Sequence, residues 1–62
     1  MATNPVTDAS YLSPRQAAQD ASVSVRTIRR AIAAGDLIAY RVGHQLRIPR
    51  IEFVKFVQRH RA

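Results

Sequence analysis

Between Ser22 and Leu37 the chain reads SVSVRTIRRAIAAGDL, a pattern that a helix organises and an extended strand does not. Winding it at about 100° per residue gathers Val25, Ile28, Ala31 and Ile32 on one side, at spacings of three and four. Arg26, Arg30 and Ala33 fall on the opposite side, flanked by Arg29, Thr27 and Ala34. The apolar back requires another layer to bury it. The cationic front is expected to meet something negatively charged. Ser24 is a good N-cap for this helix, and Gly35 ends it, since glycine enters the left-handed conformation without strain.

Little else in the chain can brace a fold. It has 62 residues and no cysteine, near the lower size limit for a domain without disulfides or metal. His44 and His60 are too few and too far apart for a metal cluster, so no metal and no cofactor is expected. No apolar run approaches the roughly 18 residues of a membrane span. The opening MATNPVTDA lacks the basic start and apolar stretch of a signal peptide, so a cytoplasmic protein is expected. Ten basic residues against four acidic ones give a net charge of +6. Nine of the ten cations are arginine, whose planar fork suits phosphates and the guanine edge, whereas membrane-surface helices favour lysine. The charge therefore points to nucleic acid, concentrated near the nucleoid.

Residues 1–9 are polar and without periodicity, and read as a disordered tail before one domain over 10–62. Ser13-Pro14-Arg15-Gln16 is a strong helix start: serine caps, proline suits the first position, and Gln16 completes a capping box. This first helix runs to about Ala21, with Ala17, Ala18 and Ala21 inward and Arg15 and Gln19 outward. Ser22-Val23-Ser24 connects it to the arginine helix, with Val23 expected in the core. Ile38 to Val42 and Gln45 to Ile48 alternate as two strands around Gly43-His44. A two-residue turn there pairs Val42 with Gln45 and mixes apolar with polar. A three-residue loop pairs Val42 with Leu46 and Tyr40 with Ile48, keeps one apolar face, and is favoured. Pro49 stops the second strand. A closing helix over 50–61 then places Phe53, Phe56, Val57 and His60 on one face.

The expected fold class is α+β, mainly α: a winged helix-turn-helix of two short helices, a two-stranded wing and a C-terminal helix. From Tyr11 to about Val57 the segments LSPRQAA, VSVRTIRRAI, GDLIAYRVG and RIPR also resemble, in order and spacing, the small excisionase and MerR-like group. Three positions depart from that pattern: Ser22 replaces a turn glycine, Asp20 an apolar residue, and His44 a second wing glycine. The resemblance implies a phage excisionase, or recombination directionality factor. Such proteins bind attachment-site DNA cooperatively, bend it, and direct a tyrosine integrase toward excision and away from integration. With the sequence read to Ala62, the long dimerisation helix and effector domain of full MerR-type regulators are not expected. The alternative is a small MerR-like transcriptional repressor, and a third possibility is a protein-interaction module such as an antitoxin.

In the functional reading Arg26 and Arg30 enter the major groove, one of them on guanine, and Arg29 clamps phosphate; the bland reading is a solvated face. Thr27 either bonds phosphate or helps the helix start. Ala33 either permits close approach to DNA or is a plain helix former. In the wing, Arg41, His44, Gln45 and Arg47 track the backbone and minor groove, or form only a polar outer face. Ser13 caps its helix and, with Arg15 beside it, presents that helix start to a phosphate. Ile51 and Val54 lie off the core face of the closing helix and are the candidate contacts to neighbouring copies on DNA. No catalytic residue is expected, because Asp20, Asp36 and Glu52 are scattered and no serine has a histidine base nearby.

Overall fold

The computed structural model describes residues 11–60, so the tail assigned to residues 1–9, Ser10, and Arg61 at the end of the expected closing helix, with Ala62, lie outside it. Its elements are β1 (Tyr11–Leu12), α1 (Pro14–Ala21), α2 (Val25–Ala33), β2 (Tyr40–Val42), β3 (Gln45–Pro49) and α3 (Arg50–Arg59). Local chemistry accounts for the helix boundaries. The Gln16 amide donates to Ser13 Oγ at 3.1 Å, and the Ser13 amide donates to Gln16 Oε1 at 2.9 Å, completing the capping box. Ser24 Oγ accepts from the Thr27 amide at 3.1 Å and starts α2 in the same way.

Both helices end in the same reversal. At the end of α2, Gly35 stands at φ +80, its amide bonding the Ile32 carbonyl while the Asp36 amide returns to Ala31. At the end of α1, Ser22 performs that role at φ +57, and the Val23 amide returns to the Ala18 carbonyl at 2.9 Å. Ser22 thus holds the left-handed conformation that the resemblance assigns to glycine, at a cost of about 1 kcal/mol. Val23 corrects an expectation: it is 40% exposed, because the reversal turns it out beside α3 rather than into the core.

The core is small. Leu12, Ala17, Ala18, Ile28, Leu37, Ile48 and Phe53 are buried, with Val25, Ile32 and Phe56 packed against them. Ala17 and Ala18 let α1 and α2 approach closely, and Ile28 is completely enclosed. Leu37, just past the glycine turn, is a core anchor, while Ile38 beside it is exposed. On α3, Phe53 is buried and Phe56 half-buried, but Val57 faces solvent.

The sheet differs from the expected two-stranded wing. It has three antiparallel strands in the order β1-β3-β2, with Leu12 opposite Ile48 and Tyr11 opposite Pro49. The wing register also differs: Val42 pairs with Gln45, Arg41 with Leu46 and Tyr40 with Arg47, leaving Gly43-His44 as a two-residue turn. Gly43, at φ +63, supplies the positive φ that a tight hairpin turn needs at its first position. Burial cannot oppose this register, because every residue of β2 is exposed and no apolar face needs to be kept inward there. Residues opposite one another share a face, so Arg41 lies on the side of Leu46 and Ile48. Tyr40 and Val42 lie on the other side, where they line a shallow hollow of about 320 Å³ with Tyr11 and Arg47.

Candidate nucleic-acid interface

The register that turns β2 over also builds a site. Between the start of α1, the first turns of α2 and the wing lies a groove of about 440 Å³. Arg15 and Ser13 enter it from α1, Arg29 from α2, and Arg41, His44, Gln45 and Arg47 from the wing. Val25 and Leu46 form part of its lining, an apolar contribution that the charge pattern alone does not reveal. Val25 sits within about 40° of Arg29 around α2, which is the one signal in the sequence that it borders the same space.

Several of these side chains are held by their neighbours. Ser13 is occupied in the capping box, so its hydroxyl already accepts a bond while the first turn of α1 opens beside the groove. The Arg47 guanidinium donates to the Leu46 carbonyl at 3.0 Å and to Gln45 Oε1, which fixes its direction along the wing. Arg15, Arg29 and Arg41 have no carboxylate partner among the described residues. Among the described residues no acidic side chain lines the groove.

Arg26, Arg30 and Ala33 are exposed on the convex front of α2, next to the groove and not lining it. Thr27 takes the other flank. It borders a crevice with Val23, Val57 and His60, and its hydroxyl lies 3.0 Å from Ser24 Oγ, so it belongs to the helix cap. Ile51 and Val54 are both exposed on α3 and are not among the groove's lining residues. The structure therefore brings together the wing residues, Arg15 and Arg29, sets Arg26 and Arg30 on an adjoining face, and separates Thr27, Ile51 and Val54 from them. A concave strip of guanidinium groups can bind a chain of phosphates, and exposed arginine forks on a helix can reach base edges.

Among families of known proteins, a model described as a helix-turn-helix domain matches residues 11–61. The chain belongs to the helix-turn-helix domain family. The helix-turn-helix domain is a DNA-binding module also found in excisionase-like small proteins, and double-stranded DNA is the ligand class it implies. No curated protein and no solved structure matches the chain. In this helix-turn-helix domain α1 and α2 are the paired helices, Ser22-Val23-Ser24 is the turn, and β2 and β3 form the wing beside them. Among the described residues no helix is long and apolar enough to cross a membrane, and no group of three His, Cys, Asp or Glu residues is placed to hold a metal ion.

Proposed function

We propose that this helix-turn-helix domain is a phage excisionase that binds attachment-site DNA, bends it, and directs a tyrosine integrase toward excision. The observation that carries the DNA half of this reading is the cationic groove of Arg15, Arg29, Arg41 and Arg47, with no acidic side chain lining it among the described residues, together with the exposed Arg26 and Arg30 on the adjoining front of α2. In this reading α2 enters the major groove, Arg26 and Arg30 face the bases, and Arg29 contacts phosphate. Arg15, Arg41 and Arg47 follow the backbone, with His44 and Gln45 at the wing tip beside the minor groove. Ser13 contributes through the amides of the helix start it caps.

The excisionase half rests on the ordered resemblance of LSPRQAA, VSVRTIRRAI, GDLIAYRVG and RIPR, and on the occurrence of this family in excisionase-like small proteins. Ile51, Val54 and Val57 are exposed at successive spacings of three along α3. That apolar strip supports contact between neighbouring copies, which would link modest sites into a cooperative array. Such an activity belongs in the host cell's cytoplasm, on its DNA.

The test is a recombination assay with purified integrase and attachment-site DNA, with and without this protein. Stimulated excision with suppressed integration is expected. Specific DNA binding with no change in either reaction would favour the transcriptional repressor instead. Ile51→Ser with Val54→Ser is expected to spare binding to one site and to abolish cooperative filling of several. Equal cooperativity in this variant and the wild type would remove both residues from the interface.

A further inference from the structure

The outer face of the wing carries a surface that DNA binding leaves unused. Tyr40 and Val42 alternate with Arg41, so the register that turns Arg41 toward the groove turns them to the opposite side of the hairpin. There they form the shallow hollow of about 320 Å³ with Tyr11 from β1 and Arg47 from β3. Tyr11, Tyr40 and Val42 are all exposed. Two tyrosines and a valine beside an arginine have the composition of a protein interface, where tyrosine and arginine are enriched.

Arg47 decides the chemistry of the occupant. Its side chain is half-buried and donates to two neutral acceptors, the Leu46 carbonyl at 3.0 Å and Gln45 Oε1. Its charge meets no carboxylate among the described residues, and a guanidinium has more donors than these two bonds use. A second copy of this chain fits the hollow poorly. It also carries +6, and of its four acidic residues Asp36 and Glu52 are already paired within the chain. We propose that the hollow binds an acidic peptide segment of another protein, with one apolar side chain among Tyr11, Tyr40 and Val42 and a neighbouring carboxylate on Arg47. Arg47 also lines the groove on the other side of the wing. Where DNA fills that groove, as the DNA-binding reading requires, a carboxylate on Arg47 cancels the charge that a phosphate would use. Each ligand then weakens the other by the same factor.

The experiment is selection of a random peptide library displayed on phage against the full-length protein. The enriched peptides are then titrated against wild type, Arg47→Gln, and Tyr40→Ser with Val42→Ser. Every residue of β2 is exposed, so the serine pair is expected to melt near wild type, which circular dichroism checks. Enriched peptides are expected to combine a large apolar residue with Asp or Glu, and to lose at least roughly tenfold in affinity for either variant. Saturating peptide is expected to weaken DNA binding by the wild type roughly 5- to 10-fold. The serine pair is expected to bind DNA as the wild type does and to ignore the peptide. No enriched peptide, enriched peptides without an acid, or binding that survives both variants would overturn the inference. So would a wild type that sediments as a dimer and a serine pair that sediments as a monomer, since a second copy would then cover the hollow. Peptide binding at the hollow with no effect on DNA affinity would overturn the antagonism alone. Peptide binding at the hollow of a protein that binds no DNA would overturn the DNA-binding reading and uphold the peptide site.

Discussion

At the end of α3, His60 and Arg59 reach the Asp36 carboxylate at 3.0 and 3.8 Å, and Arg59 also donates to the Asp36 carbonyl. On the front of α2 and in the groove, Arg26, Arg29, Arg30 and Arg41 meet no carboxylate among the described residues. The difference follows from where the few acids fall. Glu52 faces Lys55 one turn along α3 at 4.0 Å, Asp36 follows the glycine turn after α2, and Asp20 is exposed late in α1. The compensated Arg59 and the His60 ring fasten α3 to the loop leaving α2. Uncompensated cations repel one another until a polyanion arrives, which is the electrostatic condition for a binding surface.

Both regions depend on the same buried support, so the largest effect comes from beneath. Ile28, completely enclosed on the back of α2, anchors the helix whose front carries the arginines. Ile28→Ala is expected to cost about 2–5 kcal/mol, enough to unfold much of a domain this small. Thermal melts followed by circular dichroism measure it, and a melt within a degree or two of wild type would show that the site collapses without penalty.

Next in size is the groove. Replacing Arg29 and Arg41 together with alanine is expected to lower the slope of log affinity against log salt by about 2, since each phosphate contact contributes about 0.9. Affinity should fall for every sequence alike while the melt stays near wild type. An unchanged slope would mean that no phosphate strand lies in the groove.

The two helix ends sharpen the comparison at the backbone level. Ser22→Gly is expected to stabilise the fold by about 0.5–1 kcal/mol, by relieving the left-handed serine. Gly35→Ala is expected to destabilise it by about 1 kcal/mol. No other atom crowds a Cβ at Gly35, so that loss would report φ alone. Denaturant titrations of the two variants test the pair, and shifts of the same sign would refute the assignment.

The smallest effect belongs to the compensated end. The Arg59, His60 and Asp36 side chains are each about half exposed, so solvent screening leaves their pairing worth less than about 1 kcal/mol. Asp36→Ala is expected to lower stability slightly at low salt, less at high salt, and to leave DNA affinity undiminished. A loss of affinity as large as that of the groove variant would dissolve the distinction between the two regions.

Much of the helical part was legible because its causes are local. The Ser13 and Ser24 caps, the Gln16 return bond and the Gly35 reversal all act within a few residues, and the back of α2 follows from spacings of three and four. The two-residue strand β1 was not legible, since its partners Ile48 and Pro49 lie more than thirty residues away and nothing local announces them. Val23 was misplaced because an apolar residue in a short turn looks like a core pin until the direction of the left-handed reversal is known.

The candidate site divides along the same line. That α2 presents Arg26 and Arg30 opposite Ile28 was determined by sequence alone, because helical periodicity sets the angle between them. That Arg41 joins Arg29 in one groove was decided only in the tertiary structure. Shifting a hairpin register by one residue moves every side chain of a strand to the other face. With β2 exposed throughout, the alternation of Tyr40, Arg41 and Val42 carried no burial energy to choose between those faces; the Gly43 turn and the pairing with β3 chose instead.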